Sequence, residues 1–102
     1  HPKKQKVYLV SILKTKDYKI DIEILSKDKN GIFFFTTGND AKRYVSKEDL
    51  YNESKKYLDK NIYKEELENA IDIAINKYKE QVIMIIGSFY VYKDVLDTVQ
   101  KV

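Results

Sequence analysis

Lys14, Thr15 and Lys16 form one group of polar side chains able to hold a ligand, and Gly87 followed by Ser88 forms a second. A lysine at such a turn acts as a point charge for a carboxylate or phosphate. Gly87 permits a tight turn and a close approach to the backbone. Ser88 would open a helix, where free N–H groups attract anions. The structural alternative for Ser88 is a plain N-cap, worth ~1 kcal/mol. Around Gly87 the second glycine and the lysine of a P-loop are missing, so nucleotide binding of that kind is not expected there. Arg43, the one arginine, has a guanidinium fork suited to an anion or to a surface ion pair.

Other chemistry is excluded by residue type. The chain has no cysteine, which removes disulfides, a thiol nucleophile and thiolate zinc sites. Its one histidine is His1, so an imidazole base within the fold is not expected. The carboxylates are scattered over helix faces, with no pair spaced for general acid/base work. Lysines spread along the whole chain and interleave with 16 acids, leaving a net charge of +3. Nucleic-acid binding would require them on one stripe, so it is not expected. The abundance of Lys, Ile, Asn and Tyr resembles a genome-wide compositional bias.

The 102 residues are 43% hydrophobic and 34% charged, the balance of one small globular domain, 1–102. The longest apolar run, 82–86, falls far short of the ~20 residues that cross a bilayer. No secretory signal is evident, and His1-Pro2-Lys3-Lys4 reads as a loose leader.

The elements that must carry these residues are read from periodicity and punctuation. Residues 7–13 suit a strand buried on both faces. In 17–25, Ile20, Ile22 and Ile24 alternate with acids as in a strand, while Tyr18, Ile22 and Leu25 fall on one helix face. Asn30-Gly31 precedes a second strand, 32–35. Thr36 to Lys42 form a polar loop containing Gly38. Ser46 caps a helix reaching about Leu58, with Asp49 at N3 and a Val45–Leu50 staple. Residues 61–63 suggest a short strand, and 64–79 a helix with Leu67, Ala70, Ile71, Ala74, Ile75 and Tyr78 on its apolar stripe. Residues 82–86 read as the centre of a parallel sheet. A last helix follows, with Tyr92, Val95, Leu96 and Val99 on one face.

This alternation predicts an α/β fold, a mostly parallel sheet flanked by helices. It also favours helix for 17–25, because parallel neighbours need a crossover of about a dozen residues. A hairpin between 7–13 and 18–25 is the alternative. In such sheets ligands bind outside the carboxyl ends of the strands. That rule selects Lys14–Asp17, Thr36–Asn39 and Gly87–Tyr90.

Leu9-Val10-Ser11-Ile12-Leu13-Lys14-Thr15-Lys16-Asp17-Tyr18 resembles a strand and turn of folylpolyglutamate synthases, where Gly-Ile-Leu-Lys-Asp-Lys-Asp-Tyr is common. Residues 82–95 are similar to that family's last strand and helix, an apolar run followed by Gly-Ser-Phe and later Val-Leu. The helices between match in order and spacing. The resemblance implies the Rossmann-like C-terminal domain of a cytoplasmic ligase of the muramyl-ligase group. Such enzymes use ATP and magnesium to phosphorylate a carboxylate, which an amino acid's amine then attacks. For the folate branch, glutamate is joined to a folate. By the same resemblance, a lysine and a serine that hold the amino acid's carboxylates in the D-glutamate-adding muramyl ligase fall on Lys14 and Ser88. Thr15, Lys16 and Gly87 are possible additions.

Departures accompany the resemblance. The family's Asp-Gly-Ala-His-Asn-Pro segment is absent, so the domain is expected to lack its first strand–helix unit. The sheet edge left by that unit is expected to be exposed or to pair with another copy. The P-loop and magnesium ligands would lie in an upstream ATPase domain, so no ATP, magnesium or other cofactor is expected on this chain alone. Ser11 replaces the usual Gly and Thr15 an Asp. The alternatives are a cell-wall ligase of the same group and a stand-alone, non-enzymatic α/β binding module.

Overall fold

A computed structural model describes residues 5–38, 40–78 and 82–86 of the chain. Its elements are β1 (Lys6–Val10), α1 (Tyr18–Leu25), β2 (Ile32–Phe35), α2 (Lys47–Ser54), β3 (Ile62–Lys64), α3 (Leu67–Lys77) and β4 (Val82–Ile86). The strands form one sheet in the order β3-β2-β1-β4, and every pairing is parallel. The fold is therefore α/β with a parallel sheet, and the hairpin alternative for the first two segments is ruled out.

β1 and β2 are apolar on both faces because both faces are covered. Val7, Leu9, Ile32 and Phe34 meet Leu67, Ala70, Ile71 and Ala74 of α3. Tyr8, Val10, Phe33 and Phe35 meet Ile22 of α1 and Leu50 of α2. The chain steps outward from β1 to β3 with α1 and α2 on one face. It then reverses, and α3 returns it across the other face to β4. Crossovers of a single hand require that change of face when the direction of winding reverses.

Expected and observed boundaries differ in places. The first strand ends at Val10 rather than residue 13, and Leu13 makes an isolated antiparallel bridge to Tyr44. α2 stops at Ser54, after which turns carry the chain to the buried Leu58. Lys64 belongs to β3, and α3 starts only at Leu67 because Glu66 is its N-cap. β4 was expected at the centre of the sheet; it lies at one end of the order, and β2 and β1 hold the middle. The reason is the reversal, which places β4 on the far side of β1. β1 is thus flanked on both sides, by β2 and β4. Among the described residues, the outer sides of β3 and β4 have no strand partner. The expected last helix lies outside the described residues.

Three local features fix the base of the sheet. Tyr8 stacks on Phe33 with ring centroids 4.6 Å apart, and its hydroxyl donates to Asp28 Oδ2 at 2.7 Å. A Cβ at Gly31 would come within 2.8 Å of the Tyr8 ring and 2.9 Å of Phe33, so only glycine fits between Asn30 and β2. Asn61 adopts φ 60°, a left-handed conformation that asparagine tolerates, and its carbonyl accepts from Phe33 N at 2.8 Å.

Candidate functional site

The loops at the carboxyl ends of β1 and β2 are strapped together. Val45 N donates to the Ile12 carbonyl and Lys14 N to the Arg43 carbonyl, each at 2.8 Å. This short antiparallel contact continues β1 beyond its parallel ladder. It holds the Lys14–Lys16 turn against the segment that leads into α2. Lys16 N donates back to the Leu13 carbonyl at 3.0 Å, closing the turn. Gly38, at φ 80°, turns the β2–α2 loop, and a Cβ there would lie 3.0 Å from the Tyr44 ring. Tyr44 itself is buried at 1% exposure, so the loop is pinned to the core.

Between these loops lies an open cleft of about 660 Å³. One wall is the turn and first residues of α1, with Lys14, Lys16, Tyr18 and Lys19. The facing wall carries Thr37, Tyr44, Val45 and Ser46. Asp17 and Asp49, in the cap and first turn of the two helices, also line it. The structure thus brings Lys14 and Lys16 to a common site. Thr15 is exposed but is not part of the cleft lining. Gly87 and Ser88 lie outside the described residues. Tyr18, Lys19 and Ser46 were not picked out as site residues from the sequence. The available signal was position: the first residues of the helices after β1 and β2 stand at the carboxyl end of a parallel sheet.

Both helices point their N-termini toward the cleft, yet their N–H groups are largely spent. Asp17 Oδ1 accepts from Lys19 N at 3.2 Å and Ile20 N at 3.4 Å. Ser46 Oγ accepts from Asp49 N at 3.1 Å, and Thr37 Oγ1 from Lys47 N at 3.0 Å. An anion in the cleft would therefore be held by ammonium groups and not by a helix end. Elsewhere, two lysines are ion-paired. Lys47 Nζ lies 2.9 Å from Glu66 and 3.6 Å from Glu48, and the hydrogen bond to Glu66 holds its pKa above the usual lysine value. Lys56 pairs with Glu53 at 3.0 Å, which raises its pKa in the same way. No ion pair or side-chain hydrogen bond engages the ammonium groups of Lys14, Lys16 or Lys19 among the described residues.

Ammonium and hydroxyl groups suit an anion and do not form the oxygen cage that magnesium needs. No group of three or more His, Cys, Asp or Glu among the described residues is placed to hold a metal ion. The residue after β1, Ser11, is fully buried, and its Oγ has no hydrogen-bond partner among the described residues. Buried hydroxyls are nearly always paired, so this one is an exception beside the point where the strand order reverses. No helix among the described residues is long and apolar enough to cross a membrane. No family model matches the chain, and neither a curated protein nor a solved structure matches it.

Proposed function

We propose that this chain is the C-terminal, substrate-closing domain of a cytoplasmic ATP-dependent ligase that adds glutamate to folates. The observation that carries the reading is the place of Lys14. Its turn is strapped to 43–45 and opens on a cleft at the carboxyl end of β1, where the family resemblance asks for a lysine that holds a carboxylate. The domain's contribution is position. It brings the incoming amine to the activated carboxylate, and closure over the ATPase domain excludes water. ATP and magnesium belong to that upstream domain, so the isolated chain is inactive. Ser88 is the second clamp in this reading.

The test is glutamate kinetics of Lys14→Ala in the ligase that carries the domain. The expected result is a rise of about tenfold or more in KM for glutamate with KM for ATP unchanged, a loss of ~1.4 kcal/mol. An unchanged glutamate KM would overturn the assignment. A change in preference from glutamate to another amino acid would point to a cell-wall ligase of the same group.

A second reading has its own observation. Ile20 and Ile24 are 53% and 55% exposed on the outer face of α1. A non-enzymatic binding module would use such a face, and in that case Lys14→Ala would leave partner binding intact while Ile24→Lys would abolish it.

A further inference from the structure

We infer that the outer edge of β3 is a surface for self-association, on which a second copy of this chain pairs its own β3 antiparallel about a two-fold axis at Tyr63. The two four-stranded sheets then join edge to edge. The inference does not depend on the proposed function.

The argument begins with the backbone groups of β3. Phe33 N donates to the Asn61 carbonyl at 2.8 Å, and Glu65 N donates to the Phe35 carbonyl at 3.0 Å. Residues 61 and 65 thus turn their bonding groups toward β2, and by the alternation along a strand Tyr63 does the same. Ile62 and Lys64, between them, turn theirs to the outer side, which has no strand partner among the described residues. β4, at the other end of the sheet, runs on into residues outside the described ones. The chain on both sides of β3 is described throughout, so this edge is defined.

A copy of the same strand matches these groups. With the two-fold at Tyr63, Ile62 falls opposite the partner's Lys64 and Lys64 opposite the partner's Ile62, both in hydrogen-bonded positions. Tyr63 faces the partner's Tyr63 in a non-hydrogen-bonded position, where opposed side chains come closest and aromatic pairs are favourable. From 60 to 66 no like charges stand directly opposite: Lys60 meets the partner's Glu66, and Asn61 meets the partner's Glu65. A two-fold at Lys64 would instead set that lysine against itself. Lysine on an edge ordinarily opposes pairing. Here Lys64 Nζ turns toward α2, 5.4 Å from the centroid of the Tyr51 ring. Tyr63 is 40% exposed, and its ring is held in place by stacking on Phe34 at 5.2 Å. The other exposed large apolar side chains among the described residues, Ile20 and Ile24, lie on a helix, which spends its backbone groups internally. Three residues make a small interface, so the association is weak and reversible. Antiparallel pairing points the carboxyl ends of the two sheets in opposite directions, so the two clefts lie at opposite ends of the pair.

The experiment is oxidative cross-linking of the 102-residue chain, which has no cysteine, so one introduced thiol reports on one position. Tyr63→Cys is compared with Ile24→Cys, a control on the other exposed apolar face. Opposed Cα atoms in a non-hydrogen-bonded pair stand about 4.5 Å apart, within reach of a disulfide. Tyr63→Cys should form covalent dimers at least about tenfold faster than Ile24→Cys, because pairing raises the local thiol concentration. Adding Lys64→Pro to Tyr63→Cys removes an outward N–H and no bond to β2, and should slow cross-linking to the control rate. Sedimentation equilibrium of the parent chain should show a dimer that forms as concentration rises. Thermal unfolding confirms that each variant folds, and the two cysteine variants decide the matter by themselves if the proline variant does not.

A parent chain that stays monomeric up to ~1 mM would overturn the inference. Equal cross-linking rates at 63 and 24 would do so as well, since they report collision alone. Faster cross-linking at 24 would move self-association to α1 and overturn the assignment to β3. None of these outcomes touches the glutamate kinetics of Lys14→Ala, so the ligase reading stands or falls separately.

Discussion

Two helices of this chain carry nearly the same local sequence and use it differently. Ile20-Asp21-Ile22-Glu23-Ile24 lies in α1, and Ile71-Asp72-Ile73-Ala74-Ile75 in α3. Taken alone, each alternates apolar and other residues as a half-buried strand would. In α3 the surrounding residues complete a helical stripe. Leu67, Ala70, Ile71 and Ala74 are all buried, and Ile73 and Ile75 pack against them. The two alanines let the helix lie close on the sheet. In α1 the equivalent neighbours are Lys19 and Glu23, both exposed, and only Ile22 is fully buried. A run of alternating isoleucines therefore does not choose between strand and helix. The neighbours at i+3 and i+4, and the need for a crossover between parallel strands, make that choice.

The comparison predicts graded effects on stability. The largest should come from Ile71→Ala and Ile22→Ala. Each removes a side chain that is 1% exposed, and each should cost about 2–5 kcal/mol in urea unfolding. If Ile22→Ala were nearly neutral, α1 would be peripheral to the fold and the two helices would differ in kind.

The helix starts should separate next. Asp17 caps α1 through two N–H groups, while Glu66 makes no side-chain cap bond to α3 and pairs with Lys47 instead. Asp17→Ala should lower stability by ~1 kcal/mol. Glu66→Ala should change it by no more than about 0.5 kcal/mol. Thermal midpoints of the two variants would show the difference.

The helix ends are anchored by different chemistry. α3 ends on Tyr78, whose ring meets Phe34 with centroids 6.1 Å apart. The segment after α1 is tied to β1 by the Tyr8–Asp28 hydrogen bond. Burial, and then that bond to Asp28, pushes the Tyr8 hydroxyl up to about 12 from 10.0. A raised value in the folded state means the fold favours the neutral phenol. Its contribution is complete below pH 10 and is lost as pH rises toward 12. Tyr8→Phe should flatten that alkaline limb of stability, and an unaltered limb would assign it to another tyrosine.

The smallest effects belong to the outer face of α1. Ile20→Lys and Ile24→Lys should each stay within about 0.5 kcal/mol of the parent. A larger loss would mean that these side chains are covered in solution.

Legibility followed the range of the interactions involved. Ser46 and its Val45–Leu50 staple were readable because capping is decided within five residues, and both apolar partners are buried as expected. The helix from Leu67 was readable from its stripe, but its start was not, because Lys64 and Glu65 reach across to β2; Glu65 N donates to the Phe35 carbonyl at 3.0 Å. Lys14 and Lys16 were visible as a turn after a strand. Lys19 was not visible as their companion, and the strand-end rule that reached Thr37 could not join it to their turn, because the 12–14 to 43–45 strap joins segments about thirty residues apart.

By itself, the sequence determined the α/β class, the alternation of elements, the glycine turn before β2, the Ser46 helix start and the absence of thiol and internal imidazole chemistry. Each of these follows from residue type or from patterns shorter than about a dozen residues. Only the tertiary structure decided that β4 lies beside β1 at one end of the order, and that the helix ends at the cleft are self-capped. It also decided that three lysines line one cleft without ion-pair partners among the described residues, and that Ile20 and Ile24 face outward. Those outcomes depend on which distant segments pair, and hydrophobic periodicity records which face of an element is buried but not what it is buried against.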